Sequence, residues 1–179
     1  TPSQINVVTY PPVVPYGVNL LNNSYGTFEG ISATSEYDSN RPASDAADNV
    51  YGGSGSEEWL SANGQYTNQN ITINFTSAQR FNRIEIWPGR AGVDTAAPNN
   101  TNIYVSDDFV SWTKIANKSL FNGFSASSYR YDEINFTEQN KRYVVVEFVD
   151  NWGSTNYLRS AEIRFYNTQN LANLSNTSV

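Results

Sequence analysis

From residue 69 onward the chain alternates apolar and polar positions with a period of two, the spacing of a strand that buries one face. In "ITINF" (71–75) Ile71, Ile73 and Phe75 are set against polar neighbours, and "NRIEIW" (82–87) does the same with Ile84 and Ile86. Further strand-like runs follow: "NIYVS" (102–106), "WTKIA" (112–116), "YRYDEINFT" (129–137), "RYVVVEFV" (142–149) and "LRSAEIRFY" (158–166). Turn-rich pieces such as "SDDFVS" and "DNWGST" separate them. Only 43–49 reads as helical, and it is short. Many short strands with Gly, Asn and Asp between them predict an all-β antiparallel fold, a β-sandwich or jelly roll.

The ends differ from this middle. Residues 1–17 are rich in proline, which excludes a helix and suits an extended lead-in, linker or edge strand. Residues 168–179 are polar and aperiodic, the pattern of a C-terminal linker. The sequence therefore predicts one module over 18–167. No signal peptide opens the chain and it contains no Met, so it reads as part of a larger multidomain protein.

Composition narrows the chemistry. With 39% apolar residues and 12 Tyr, 9 Phe and 4 Trp, 179 residues can build one aromatic-rich core. A net charge of -6 repels phosphate backbones and anionic headgroups, so neither nucleic acid nor an anionic membrane is an expected partner. The chain has no His and no Cys, which removes Ser–His–Asp and Cys–His relays and the usual zinc sites. A glycosidase needs only two carboxylates, but no pair stands out, and the expectation is a protein that is not an enzyme. N-x-S/T triplets begin at Asn22, Asn70, Asn74, Asn99, Asn117, Asn135, Asn173 and Asn176, a frequency that a chain so full of Asn, Ser and Thr produces by chance.

The order of segments, "VNLLNNSYGTFEGISATSEYDSNRPASDAADN", "EEWLS", "QNITINFTSAQRFNRIEIWPGR", "IYVSDDFVSWTKIA" and "LRSAEIRFY", resembles the coagulation factor 5/8 type C, or discoidin, family, including its galactose-binding-like carbohydrate-binding modules. The resemblance spans about 18–167. It implies an eight-stranded antiparallel jelly roll, binding without catalysis, a ligand site on loops at one end, and a secreted or cell-surface location. It also implies a structural calcium, carried in the family by an "A-x-D-G-N" loop and the Glu of a closing "A-E-I". The matching stretches are "DAADNV" (45–50) and "AEI" (161–163).

Calcium takes six to eight oxygens, mixing carboxylate and carbonyl. On this reading Asp48 and Glu162 contribute side chains, Asp45, Val50 and Ala161 main chain, and Ser54 or Ser56 a hydroxyl. Asn49 replaces the family glycine, and Asn enters the left-handed region more readily than most residues. The alternatives are an Asx-turn role for Asp48 and a water-facing strand position for Glu162. Glu57 and Glu58 have no assigned role and read as solvated, while Trp59 reads as core.

Sugars are held by an aromatic face against the ring and by planar polar groups on the hydroxyls. The resemblance points to Arg90 and Trp152 for these tasks, with Asn151 beside the tryptophan and Tyr37, Asp38 or Asn40 from the first loop. Both also have structural readings: Trp152 as a packed anchor, and Arg90 as an ion-pair partner of Asp94. Lack of His leaves the sugar unspecified. Two rivals remain open: an adhesion or assembly module of a surface or phage protein, binding another protein, and a membrane tip built from Trp87, Trp152 and Phe109, which the acidic charge opposes.

Overall fold

The computed structural model describes residues 15–50, 57–89, 94–122 and 130–168. Within them the chain forms β1 (Phe28–Ala33), β2 (Trp59–Leu60), β3 (Gln69–Trp87), β4 (Asn100–Ser106), β5 (Thr113–Ser119), β6 (Asp132–Phe148), β7 (Arg159–Ser160) and β8 (Glu162–Tyr166), with 3-10 turns at Asn23–Tyr25 and Ala43–Ala47. Every pairing between strands is antiparallel. The family-based expectation of an eight-stranded jelly-roll sandwich is met.

Two long strands build both layers. The first half of β3 pairs with β1 on one side and with the end of β6 on the other, and β4 and β5 continue that sheet in the order β1-β3-β6-β4-β5. The second half of β3 lies between the start of β6 and β8. Register shifts at Asn74/Gln79 and Phe81/Arg83 mark where the ribbon bends over its own apolar face, the usual effect of a bulge. This corrects the expectation of separate strands at 71–75 and 82–87 and at 129–137 and 142–149. The intervening "TSAQRF" and "EQNK" lack Gly and Pro, and a bulge bends a ladder without interrupting it.

The inward positions match the period-two pattern. Ile71, Ile73, Phe75, Phe81, Ile84, Ile86, Val144, Val146, Phe148, Ile163 and Phe165 are all fully buried. Phe75 meets Phe165 edge-on at 5.9 Å and Phe81 meets Phe165 at 5.5 Å, so the two layers are joined by rings at their bend. At the other end Trp59 stacks on Phe148 at 5.9 Å and donates its indole N–H to the Ser35 carbonyl at 3.0 Å. Its expected core role holds.

Other departures have local causes. The run 158–166 breaks at Ala161, whose N–H turns to the Trp87 carbonyl. Strand β1 carried no clear signal because Gly30 interrupts it and it lies at a sheet edge, half-buried. The helix read at 43–49 is a single 3-10 stretch ending at Asp48. Where the two terminal segments enter the described residues they are tied to the module: Gly17 N–H donates to the Asn167 carbonyl, and Thr168 N–H to the Asn82 side chain.

Trp59→Ala would leave a large void between Phe148 and the first layer, and we expect a loss of about 3–5 kcal/mol in urea unfolding. Val110→Ala, at a site 80% exposed, should stay within about 0.5 kcal/mol of wild type.

Candidate functional site

The bend in the ribbon brings the start of β3, the end of β3, the end of β6 and the start of β8 to one end of the sandwich. The loops there are cross-linked by main-chain hydrogen bonds: Tyr37 N–H to Leu60, Ser61 to Leu158, Asn68 to Val149, Trp152 to Ala97, Ser154 to Thr95 and Arg159 to Ala96. Loops so joined form one stiff surface rather than independent arms.

That surface carries most of the expected ligand residues. Trp152 is 39% exposed on the 149–158 loop, and Tyr37 (44%) lies on the loop after β1. Tyr37 meets Tyr157 edge-on at 5.4 Å, and the Arg41 guanidinium sits 5.3 Å from the Tyr37 ring centre. Tyr66 is also exposed, and Asn151 joins these loops. Its side-chain amide reaches the carbonyls of Tyr66, Ser154 and Tyr157, while its oxygen accepts from Gly153 N–H. Asn151 thus organises the rim. Asp38 does similar work, accepting the Asn40 N–H at 2.9 Å, and both residues are exposed. Arg90 lies outside the described residues. Tyr66, Tyr157 and Arg41 were missed by the sequence reading. Arg41 stood in the quoted "EYDSNRP" segment, but its neighbourhood with Tyr37 depends on the turn.

Trp87 is not part of any tip. It is 4% exposed, with the Arg164 guanidinium 4.5 Å above it and Tyr131 at 4.7 Å. Phe109 belongs to the turn between β4 and β5, at the opposite end from Trp152. The three do not form one apolar surface, and among the described residues no helix is long and apolar enough to cross a membrane.

Beneath the rim lies an ionic tie. Arg159 Nη1 is 3.2 Å from Glu58 and its Nε is 3.3 Å from Asp94, and all three side chains are largely shielded from water. Glu58 is therefore buried, not solvated as its polar surroundings in sequence suggested. It sits against β7 because Trp59 pairs with Ser160. Asp94, proposed as a partner for Arg90, is engaged by Arg159. Gly89 borders this tie with φ of 152°, and a Cβ there would fall 2.7 Å from Asp94 Oδ2, so no larger residue fits without displacing it.

On the neighbouring side, acids from distant segments meet. Asn49 N–H donates to Glu162 Oε2 at 3.2 Å across 113 residues. Asn49 adopts φ of 66° and is held by Asn19, whose amide donates to its side chain at 3.0 Å. Glu162 is fully buried, which excludes the water-facing reading, and burial pushes its carboxyl up to about 8 despite the Arg164 guanidinium alongside; Asp48 adds to the rise. Asp45 is raised to about 6 by burial, then by Asp48 and Glu36. Asp48 is raised by burial first, with Glu57 adding to it. Asp48 also accepts the Val50 N–H at 2.7 Å, an Asx turn at the end of the 3-10 stretch. Ala161, adjacent to Glu162, is buried, and Val50 is 43% exposed. Among the described residues no three acidic side chains close on one point, and Ser54 and Ser56 lie outside those residues.

Arg159→Met would strand Glu58 and Asp94 beneath the rim. We expect a loss of about 3–5 kcal/mol in urea unfolding, with faster amide exchange at Ala96, Ala97 and Ser160. Glu58→Gln, which keeps shape and hydrogen-bonding capacity, should cost less.

No curated protein relative matches the chain in sequence, but solved structures match over most of it. Chitosan-binding module 1 from a chitosanase/glucanase of Paenibacillus sp. IK-5 has a TM-score of 0.62 at 25% identity, covering 84% of this chain and 99% of that one. A CBM32 module of Clostridium perfringens in complex with GalNAc-β-1,3-galactose gives 0.63 at 19% identity, with coverage of 77% and 94%. The family 32 carbohydrate-binding module of C. perfringens NanJ, in complex with galactose, gives 0.62 at 18%, with coverage of 77% and 93%. The F5/8 type C domain model matches residues 30–163, and with the bent two-layer jelly roll and its loop-bearing end this places the chain in the F5/8 type C (discoidin) domain family.

Proposed function

We propose that the loop rim is a glycan-binding site and that the chain serves as a non-catalytic carbohydrate-binding module. The observation that carries this is the exposure of Trp152, Tyr37 and Tyr66 on loops locked together by main-chain hydrogen bonds. Exposed rings that lose little entropy on contact suit the apolar face of a pyranose. Arg41 beside Tyr37 and the loop amides supply donors for hydroxyls. The related solved modules have chitosan-binding and galactose-binding members, which supports the ligand class without choosing the sugar. Such modules work outside the cell, and we place this one on a secreted or surface protein as part of a longer chain. Weak single-site affinity would be raised by multivalency.

We further propose a structural calcium beside Glu162. Asp48 and Glu162 would supply carboxylates, Asp45, Val50 and Ala161 main-chain oxygens, and Ser54 or Ser56 a hydroxyl. Its support is the chemistry of the donors: a fully buried Glu162 carboxylate raised by burial, with Asp48 adding to its rise and to that of Asp45, a load of negative charge that a divalent cation would relieve. When bound, the ion would supply charge compensation and a tie between the 43–50 segment and β8.

Two measurements test these readings. On a glycan array, Trp152→Ala and Tyr37→Ala should each cut binding about tenfold or more, while a folded wild-type protein that binds nothing favours a protein partner instead. For the ion, calcium at about a hundredfold excess over Kd should add ~2.7 kcal/mol, roughly 5–10 °C in Tm for a domain of this size. The sign with pH follows from raised acids: without calcium, their contribution is full below the ordinary carboxylate range and is lost as pH rises through about 6 for Asp45 and about 8 for Glu162. Calcium competes with those protons, so its gain should be larger at pH 8 than at pH 5 and vanish in Asp48→Asn. A Tm unmoved by chelator would sink the site.

A further inference from the structure

The outward face of the five-stranded layer carries chemistry that the loop rim does not use. Its core-facing residues are those already named; the alternate positions face out. Across three adjacent strands the register sets Asn70 opposite Glu147 and Glu147 opposite Asn102, and in the next row Val145 opposite Tyr104. Trp112, just ahead of β5, completes a groove with a volume of about 250 Å³ lined by Asn70, Tyr104, Trp112, Val145 and Glu147. That is slightly below the ~300–1,000 Å³ of most small-molecule sites, the scale of one or two sugar rings.

The groove is ordered before any ligand arrives. Glu147 Oε2 accepts from the Asn102 amide at 2.7 Å and from the Tyr104 hydroxyl at 3.2 Å. Burial and then the Glu147 carboxylate push the Tyr104 hydroxyl above its ordinary pKa, so it stays a neutral donor. Trp112 is braced edge-on by Phe109 at 5.6 Å, and Phe109 in turn by Tyr143 at 5.2 Å. The Asn70 side-chain oxygen is enclosed with no hydrogen-bond partner among the described residues. A shielded amide oxygen without a partner is costly and calls for a reason; Asn74 and Thr101 in the same sheet also carry one such atom each, but they do not line the groove.

We infer that this groove is a second, sheet-face binding subsite for an uncharged oligosaccharide, with Trp112 and Tyr104 against the sugar ring and Glu147 and Asn70 on its hydroxyls. The inference is independent of the loop rim. Flat rings beside amide and carboxylate acceptors match a ligand dense in hydroxyls. A phosphate-bearing ligand is disfavoured by Glu147 and by the absence of any cationic side chain among the groove's lining residues. The apolar lining is too small for a protein helix, which needs a row of anchors along a groove.

The test uses the Trp152→Ala protein, in which the rim is weakened, titrated with the fully N-acetylated chitin trimer, cellotriose and GalNAc-β-1,3-galactose, all uncharged, and followed by ¹⁵N NMR. The Trp112 indole N–H and the Asn70 and Asn102 side-chain amides should shift with at least one probe. Glu147→Gln, nearly isosteric, and Trp112→Ala should each weaken that response about tenfold while Tm is retained; if Trp112→Ala fails to fold, Glu147→Gln alone decides. The inference is overturned if those signals stay fixed with all three probes, whether or not rim signals move. It is also overturned if they shift equally in Glu147→Gln.

Discussion

The structure depends on one continuous antiparallel ladder, β3 against β6, that bends over its own apolar face. Because the strands do not stop at the bend, residues at the two ends of β3 share a single end of the molecule. Phe75, Phe81 and Phe165 fill the inside of the bend, and removing water from these rings is what favours the closed ribbon over an extended one. The bulge at Asn74/Gln79 supplies the geometry and the rings supply the free energy. Everything attached to the ladder's ends, from Trp59 to Glu162, is positioned as a consequence.

At that shared end the molecule places charge in unusual depth. Arg159 satisfies two acids from segments far apart in sequence, and Arg164 faces Glu162 while lying over Trp87. Ion pairs of this kind add little net stability against an apolar replacement, since desolvation offsets much of the attraction. Their value here is geometric: each fixes one loop relative to another, and an exposed aromatic rim is useful only if its backing does not shift. The acids around Asp48 are different: burial raises Asp45 and Glu162, and the Asp48 carboxylate adds to the rise of both, while Arg164 offsets part of it only at Glu162. That imbalance is the physical motive for the calcium proposed at this corner.

The two proposed sites, rim and sheet face, would rest on two kinds of support. The rim stands on loops whose order comes from main-chain hydrogen bonds and from Asn151, which spends its side chain on three carbonyls. The sheet face stands on strands, where register alone sets Asn70, Glu147 and Asn102 in a row. A module with a stiff tip and a polar groove on its flank can engage an extended polymer at more than one ring, which compensates for weak contacts at each.

Fold class, core and strand faces were legible in the chain because strand periodicity is local: Ile71, Ile73 and Phe75 face inward for the same reason that Asn70, Thr72 and Asn74 face outward. The turn at Asp48, the tolerance of Asn49 for a left-handed backbone and the burial of Trp59 were legible on the same grounds. What was not legible was any property set by partners far away in sequence. Glu58 looked solvated until β7 brought Arg159 to it, Trp87 looked like an exposed tip until Arg164 and Tyr131 covered it, and the tie that the Asn151 amide makes to the carbonyls of Tyr66, Ser154 and Tyr157 had no local signal. Alternation of side chains is dictated by neighbouring peptide geometry, whereas burial of a charge or a ring depends on long-range packing that local pattern does not encode.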